Sequence, residues 1–181
     1  MSKDSASAPA DPEPEPGTPG LHWSIKTSFL EYIFRMPDGR YSVTDGAAVI
    51  DGQVFYFSPD DGPAFDPVTA DGVLKFRGDV RFAGHHGFLF IRVADPWLTV
   101  ERGVVTLSIA SLPGETPDRV PLATLELRSS GAPHGPDHYR GGSVRLTEQG
   151  SELFNMVYPP GEPFDDLTVI RLTAGAAEQM P

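Results

Sequence analysis

Cysteine is missing from all 181 residues of the sequence, which excludes disulfide bridges, thiolate metal sites and cysteine nucleophiles. Positive charge is also scarce, because 14 lysines and arginines stand against 25 aspartates and glutamates and leave a formal net charge of −11. Nucleic acids and anionic membranes bind to basic surfaces. We therefore expect neither to be the main partner of the chain.

Long apolar runs and familiar enzyme motifs are absent as well. No apolar run approaches the ~18 residues that a membrane span requires, and residues 1–20 lack the apolar core of a signal peptide. The sequence contains no phosphate-binding glycine loop, no Gly-x-Ser-x-Gly elbow and no His-Glu-x-x-His. We expect a protein that is not an enzyme, and one that is cytoplasmic unless it is an exported domain without its export signal.

The composition indicates three regions. Residues 1–20 alternate proline with acidic side chains, a pattern typical of an extended, solvated tail. Residues 21–174 carry enough of the 39% hydrophobic content to form one domain with a core. Residues 175–181 are predicted to be a flexible C-terminus.

Apolar alternation and turn signals predict many short strands. Residues 73–82 show the clearest period of two and are predicted to form one half-buried strand, while the glycine-rich stretch 129–142 is predicted to be a polar loop. The other predicted strands span 40–44, 47–50, 53–58, 88–93, 97–101, 104–111, 120–127, 144–146 and 167–172. This pattern predicts an all-β fold, an antiparallel two-sheet sandwich or open barrel with two short helices.

The first predicted helix begins near Ser28. Ser28 and Glu31 have capping-box spacing, in which the serine accepts from a backbone N–H and the glutamate reaches back. Phe29, Tyr32 and Ile33 then fall on one helical face. Ser28 and Tyr32 lie four residues apart, so a hydroxyl and a phenol project from neighbouring turns. The pattern leaves open whether Tyr32 fills the core or binds a ligand.

The second predicted helix spans residues 148–157. Thr147 is placed to act as its N-cap. Leu153, Phe154 and Val157 are predicted to form its buried stripe.

Two pairs of histidines could carry chemistry. A glycine on each side of His85 and His86 lets the backbone turn sharply and bring another group close. One of these imidazoles could lie at the mouth of the sheet, although either could also be a solvent-facing turn residue. His134 and His138, near Asp137, could form a weak site for a divalent metal ion.

Three blocks of the sequence share a pattern with a known family. They are Trp23-Ser-Ile-Lys-x-Ser-Phe-x-x-Tyr32, Phe76-Arg-Gly-Asp-Val-Arg-Phe-Ala-Gly-His85-His-Gly, and Leu146-Thr-Glu-Gln-Gly150 followed by Phe154 and Tyr158. The blocks resemble the HtaA domain, a haem-binding module of actinobacterial haem-uptake proteins. They appear in family order and span nearly all of the foldable chain. Proteins of this family are usually exported.

The resemblance implies roles for particular residues. It makes Tyr32 the axial ligand of the haem iron, His85 its hydrogen-bonding partner and Ser28 a contact of a haem propionate. His86 offers a second imidazole for the role of His85. The porphyrin faces are expected to lie on apolar side chains, namely Phe29, Ile33, Phe82 and Phe88.

The chemistry of these groups suits a haem carrier. A phenolate is a hard anionic ligand and favours ferric iron, so ferric haem b is the expected cofactor. A neighbouring imidazole supports the phenolate and is a handle for release. We expect the chain to bind ferric haem and to pass it to another haem-binding or transporter protein.

Other interpretations predict different sites. A carbohydrate- or peptide-binding sandwich would use Trp97, Tyr41 and Tyr56 as a binding face. A near-iron-transporter domain would carry a second tyrosine four residues after the first, where this chain has Met36. A haem-degrading or peroxidase-like enzyme would need a distal acid–base set that the sequence does not suggest.

Overall fold

The computed structural model describes residues 13–60, 65–66, 71–130 and 137–172. The strands are β1 Gly20–Trp23, β2 Arg40–Thr44, β3 Ala47–Ile50, β4 Val54–Pro59, β5 Phe65–Asp66, β6 Asp71–Arg77, β7 Asp79–Gly84, β8 Leu89–Ala94, β9 Trp97–Glu101, β10 Val104–Ala110, β11 Arg119–Ser129, β12 Asp137–Leu146 and β13 Leu167–Arg171. The helices are α1 Thr27–Arg35 and α2 Glu148–Leu153, with a 3-10 turn at His85–Gly87. Neither α-helix of the described chain is long and apolar enough to cross a membrane.

Two antiparallel sheets make up the fold. Strands β4-β1-β13-β12-β11-β10-β9-β6 follow one another in the larger sheet, and a short β4–β6 pairing closes it, while β3 and β5 extend its ends. The smaller sheet has the order β2-β7-β8. The predicted mostly-β, antiparallel class with two short helices is confirmed, but the larger sheet closes on itself instead of forming an open barrel.

The predicted strand 73–82 is in fact two strands in different sheets. Gly78 separates β6 from β7 with a φ of 151°, and a Cβ atom there would lie only 2.8 Å from the backbone nitrogen of Ala47. Its own N–H donates to Asp95 Oδ1 at 3.1 Å. Apolar alternation continues through this crossing, so periodicity alone could not reveal the change of sheet.

The polar loop predicted for the glycine-rich residues 129–142 is in part a strand. Residues 137–142 belong to strand β12, whereas 131–136 lie outside the described residues. A Cβ atom on Gly141 would approach side-chain atoms of Leu167 at 2.6 Å and of Leu125 at 2.7 Å. Gly141 is therefore demanded by close packing inside the sheet and does not mark a loop.

Helix α1 packs its apolar face onto the core. Phe29, Leu30 and Ile33 are buried, whereas Tyr32 is 46% exposed. The Phe29 ring meets the ring of Phe82 edge-on at a centroid distance of 5.1 Å. Leu30 is therefore buried with Phe29 and Ile33, whereas Tyr32, the third member of the predicted face, is half-exposed.

The N-terminus of α1 is capped from a distant part of the chain. The predicted capping box at Ser28 is wrong, since the N-cap position is Lys26 and its side chain makes no capping hydrogen bond. Instead, Asp165 Oδ2 accepts hydrogen bonds from the Thr27 backbone N–H at 2.9 Å and from the Thr27 hydroxyl. A carboxylate is well suited to this place because it faces the positive end of the helix dipole.

Replacing Asp165 with alanine should destabilise the domain by about 1 kcal/mol, as for the loss of other N-caps. Urea unfolding measures the change. Asp166→Ala is the matched control, because it removes the neighbouring carboxylate, which pairs with Arg140 at 2.8 Å on the surface. Equal losses in the two variants would contradict the capping role.

Helix α2 is shorter than predicted. The Thr147 cap is confirmed, since its hydroxyl accepts from the Gly150 N–H at 2.9 Å. The helix ends at Leu153 because Asn155 and Met156 take left-handed conformations, with φ of 53° and 59°. As a result Val157 is 72% exposed and not part of the predicted buried stripe.

Candidate functional site

An apolar cavity of about 560 Å³ opens between α1, the turn before β8 and the segment that follows α2. Its size falls in the range of ligand pockets, which typically combine apolar walls with a few polar groups. The lining side chains are Ser28, Phe29, Tyr32, His85, Phe88, Leu89, Ile91, Phe154, Asn155, Val157 and Tyr158.

The phenol of Tyr32 meets an imidazole at this cavity. Its oxygen shares a hydrogen bond with Nε2 of His85, and the two ring centroids are 5.9 Å apart. Tyr32 sits on α1, whereas His85 sits on the 3-10 turn between the strands of the smaller sheet. A half-exposed phenol held by an imidazole is not core filler, so the placement favours a ligand role.

The histidine turn has an unusual backbone. His85, His86 and Gly87 all have positive φ, at 49°, 55° and 94°. For a residue with a Cβ atom this conformation costs about 1–2 kcal/mol. The turn places the two imidazoles differently, because His85 reaches Tyr32 while the His86 side chain is 91% exposed and outside the cavity lining.

A carboxylate lies beneath this turn. Asp38 Oδ1 accepts from the His85 N–H at 3.1 Å, and Oδ2 accepts from the His86 N–H at 2.6 Å. The hydrogen bond from the His86 backbone is the main reason that the pKa of Asp38 lies below its ordinary value, although partial burial acts in the opposite direction. Asp38 is therefore an anion that holds two successive backbone donors.

A second phenol, that of Tyr158, also lines the cavity. Burial raises the pKa of Tyr158, the nearby charge of Glu162 raises it further, and the Ser28 hydroxyl offsets part of the effect. Tyr158 thus keeps its proton at neutral pH and can donate a hydrogen bond into the cavity. Lys26 lies over its ring at 5.2 Å but is already paired with Glu162 at 3.0 Å.

The structure brings together only part of the predicted apolar set. Phe29 and Phe88 line the cavity. Ile33 and Phe82 are fully buried, at 0% exposure, and belong to the core behind the cavity wall. Phe82 packs edge-on against Phe29, and neither Ile33 nor Phe82 lines the cavity.

Sequence reasoning missed several lining residues and the carboxylate Asp38. Phe154 and Tyr158 occur in the third family-like block and could have been found there. Asn155 and Val157 could not, because they face the cavity only through the left-handed break after α2.

The alternative sites do not come together. Tyr56 is buried and donates its hydroxyl hydrogen to the Pro19 carbonyl at 2.9 Å. The Trp97 ring is covered by Lys75 and Arg119, at 4.3 and 3.9 Å. The part-exposed ring of Tyr41 packs edge-on against Phe34 and Phe55.

The proposed metal-binding histidines and Met36 can also be placed. His138 lies on β12 opposite Ile170, whereas His134 is outside the described residues. Across residues 13–60, 65–66, 71–130 and 137–172 no three histidine or acidic side chains cluster as metal ligands would. Met36 is buried, and its sulfur accepts from the His85 N–H at 3.3 Å.

Comparison with known proteins supplies the family. The sequence model of the HtaA family matches residues 19–170. The C-terminal domain of HtaA from Corynebacterium glutamicum is similar in structure, with a TM-score of 0.71 and 25% identity over 85% of this chain and 96% of that domain. The N-terminal domain of the same protein shares the fold, with a TM-score of 0.69 and 23% identity over 86% of this chain and 97% of that domain.

A second protein of that organism widens the comparison. The heme-binding protein HtaB from Corynebacterium glutamicum has the same fold, with a TM-score of 0.59 and 17% identity over 84% of this chain and 91% of that one. No curated protein matches the chain. Since the family match covers most of the chain, from β1 through the cavity walls to β13, this protein is a member of the HtaA family.

Proposed function

We propose that this domain captures ferric haem b through the phenolate of Tyr32 and passes it to a partner protein in haem uptake or trafficking. The observation that carries the proposal is the hydrogen bond between Tyr32 and His85 at the mouth of an apolar cavity. Membership of the HtaA family and likeness in fold to heme-binding HtaB support the choice of ligand.

The Tyr32–His85 pair can supply an anionic iron ligand. In the free protein the phenol O–H of Tyr32 donates to Nε2 of His85, or the phenol oxygen accepts from Nε2–H, depending on the tautomer of the ring. To bind iron, the phenol would have to lose its proton, which an unprotonated Nε2 would accept and which would pass to solvent if Nε2 already carried one. In either case the Nε2–H of His85 would then donate to the phenolate oxygen. Such outer hydrogen bonds orient a ligand and tune its basicity.

The cavity walls suit the rest of the haem molecule. Phe29, Leu89 and Ile91 offer apolar surface to a porphyrin face. The hydroxyls of Ser28 and Tyr158 are donors that can hold a propionate. The apolar and polar groups therefore fit haem.

Openness of the cavity suits transfer to another protein. Phe88 is 91% exposed and Val157 is 72% exposed, yet both line the cavity. A haem bound against them keeps one edge within reach of a partner, which we propose to be a haem-binding or transporter protein. Protonation of the Tyr32–His85 pair would weaken the iron–oxygen bond and favour release.

Hemin titration of the purified chain tests this function. A carrier should show a saturable Soret band with high-spin ferric features and should give back intact haem. A haem-degrading or peroxidase-like enzyme would instead consume haem or peroxide. A titration identical to that of free hemin would refute the proposal.

Replacing each histidine of the turn separately with alanine gives a matched test. His85→Ala should weaken hemin binding by about 10–100-fold, as is typical when a supporting partner of a metal ligand is lost. His86→Ala should leave the Kd nearly unchanged, because its ring points into solvent. Hemin titration of both variants measures the difference. A larger effect of His86→Ala would show that His86 is the partner of Tyr32.

A further inference from the structure

The left-handed turn that carries His85 requires support from outside itself. His85 and His86 both have a Cβ atom, and both have positive φ. Glycine and asparagine adopt positive φ at lower cost than other residues and are the usual residues at such positions. The direction of the His85 imidazole depends on this turn, so the group that stabilises the turn also determines where the imidazole points.

Asp38 supplies that support. Its two carboxylate oxygens accept separately from the N–H groups of His85 and His86, at 3.1 and 2.6 Å. Successive backbone donors that point the same way form a concave anion site, and hydrogen bonds to a charged acceptor are about twice as strong as neutral ones. The carboxylate is thus matched to this particular backbone shape.

The segment that carries Asp38 also carries Tyr32. Asp38 follows α1 by three residues, and Met36, between them, accepts from the His85 N–H through its sulfur at 3.3 Å. A Cβ atom on Gly84 would come within 2.3 Å of that sulfur. The segment after α1 therefore contacts the histidine turn through the Met36 sulfur, which lies against Gly84 and the His85 N–H. The Asp38 carboxylate adds charged hydrogen bonds to the same turn.

We propose that Asp38 is a positioning residue that holds the His85 imidazole against the Tyr32 phenol oxygen. The inference rests on the proposed function in so far as haem affinity is one of its readouts. Asp38 is not one of the residues that line the cavity, and on this account it does not contact the haem. It acts through the backbone of the turn.

Two substitutions test the role without haem. Asp38→Ala removes both acceptors, and Asp38→Asn keeps the shape but offers one oxygen and no charge. In ¹⁵N NMR spectra of the ligand-free full chain, the Nε2 resonance of His85 should move in both variants toward that of an unbonded imidazole. The peak is assigned by its loss in His85→Ala. Asp51→Asn, an acidic turn residue remote from the cavity, is the control and should leave the resonance in place.

Hemin titration adds a second readout. Asp38→Asn should raise the Kd by about 10-fold, at the lower end of the range for supporting partners. In a His85→Ala background, the same Asp38→Asn substitution should then have almost no further effect on the Kd. Equal effects in the two backgrounds would overturn the positioning role, as would an unmoved His85 resonance in Asp38→Ala. Failure of the wild-type chain to bind hemin would refute only the proposed function, because the NMR result stands without it.

Discussion

Tyr32→Phe is expected to abolish the spectrum of bound ferric haem. The substitution keeps the ring that partly faces the cavity and removes only the oxygen that shares a hydrogen bond with His85. Because that oxygen is the proposed iron ligand, the loss of affinity should exceed the about 10–100-fold that a supporting partner contributes. Absorbance titration with hemin measures both the Soret band and the Kd.

The fold should survive this substitution. Tyr32 is 46% exposed and lies outside the core, so its hydroxyl contributes to stability no more than one hydrogen bond, about 0.5–1.5 kcal/mol. Tyr41→Phe is the matched control, because Tyr41 is another part-exposed tyrosine, at 39%, that does not line the cavity. Its titration should equal that of the wild type. An unchanged Soret band in Tyr32→Phe would show that another group binds the iron.

Asp79→Ala is expected to lower the free energy of unfolding by about 3–5 kcal/mol, more than Asp165→Ala does, because a buried ion pair loses one member. Asp79 is 4% exposed and accepts from Nε of Arg92 at 2.8 Å and from two nitrogens of Arg81 at 2.9 Å. Arg92, whose side chain is 15% exposed, also donates to the Ser111 carbonyl at 3.1 Å. Removal of the carboxylate would leave this guanidinium largely buried without its counter-charge.

The contacts of Arg92 explain why the effect should reach both sheets. Arg92 belongs to β8 of the smaller sheet and bonds to the chain just beyond β10 of the larger one. Urea unfolding measures the loss. Asp166→Ala is again the control, because its partner Arg140 has a side chain that is 71% exposed, and such surface pairs contribute about 0–1 kcal/mol. Similar losses in the two variants would contradict this account of Asp79.

The Asp79 carboxylate should also make the stability of the protein depend on pH in the acid range. Burial raises the pKa of Asp79, but hydrogen bonds and charge from Arg81 and Arg92 outweigh burial and hold the pKa below its ordinary value. A group with a lowered folded-state pKa stabilises the protein above its unfolded pKa of about 3.9, and this stabilisation is lost as the pH falls through the folded pKa. Asp79→Ala should therefore show a shallower loss of stability below about pH 4. Parallel curves for variant and wild type would contradict the assignment.

Family-like sequence blocks located the candidate site better than local physics did. The blocks singled out Tyr32 and His85, which the fold places in contact although 53 residues separate them. Helical spacing alone placed Tyr32 on one face with Phe29 and Ile33 and left its role open, because a period of 3.6 does not distinguish a core position from the edge of a cavity. The two glycines around the histidines correctly indicated a sharp turn, but not which imidazole faces inward.

The errors in the fold share a cause. Ser28 was expected to cap α1, yet Asp165 does so from 138 residues away. The strand through Gly78 and the loop at Gly141 were misjudged because close approach of distant residues demands glycine there. Asp38 was overlooked for the same reason, since its partners are backbone groups that the sequence does not display.

Resonance Raman spectroscopy of the hemin-loaded chain tests the central claim most directly, because vibrations of an iron–phenolate bond identify the ligand itself. We predict phenolate modes in the wild type that persist in Tyr158→Phe, which removes the other phenol of the cavity, and that vanish in Tyr32→Phe. Phenolate modes that remain in Tyr32→Phe, or a wild-type spectrum without them, would contradict the assignment of Tyr32 as the iron ligand.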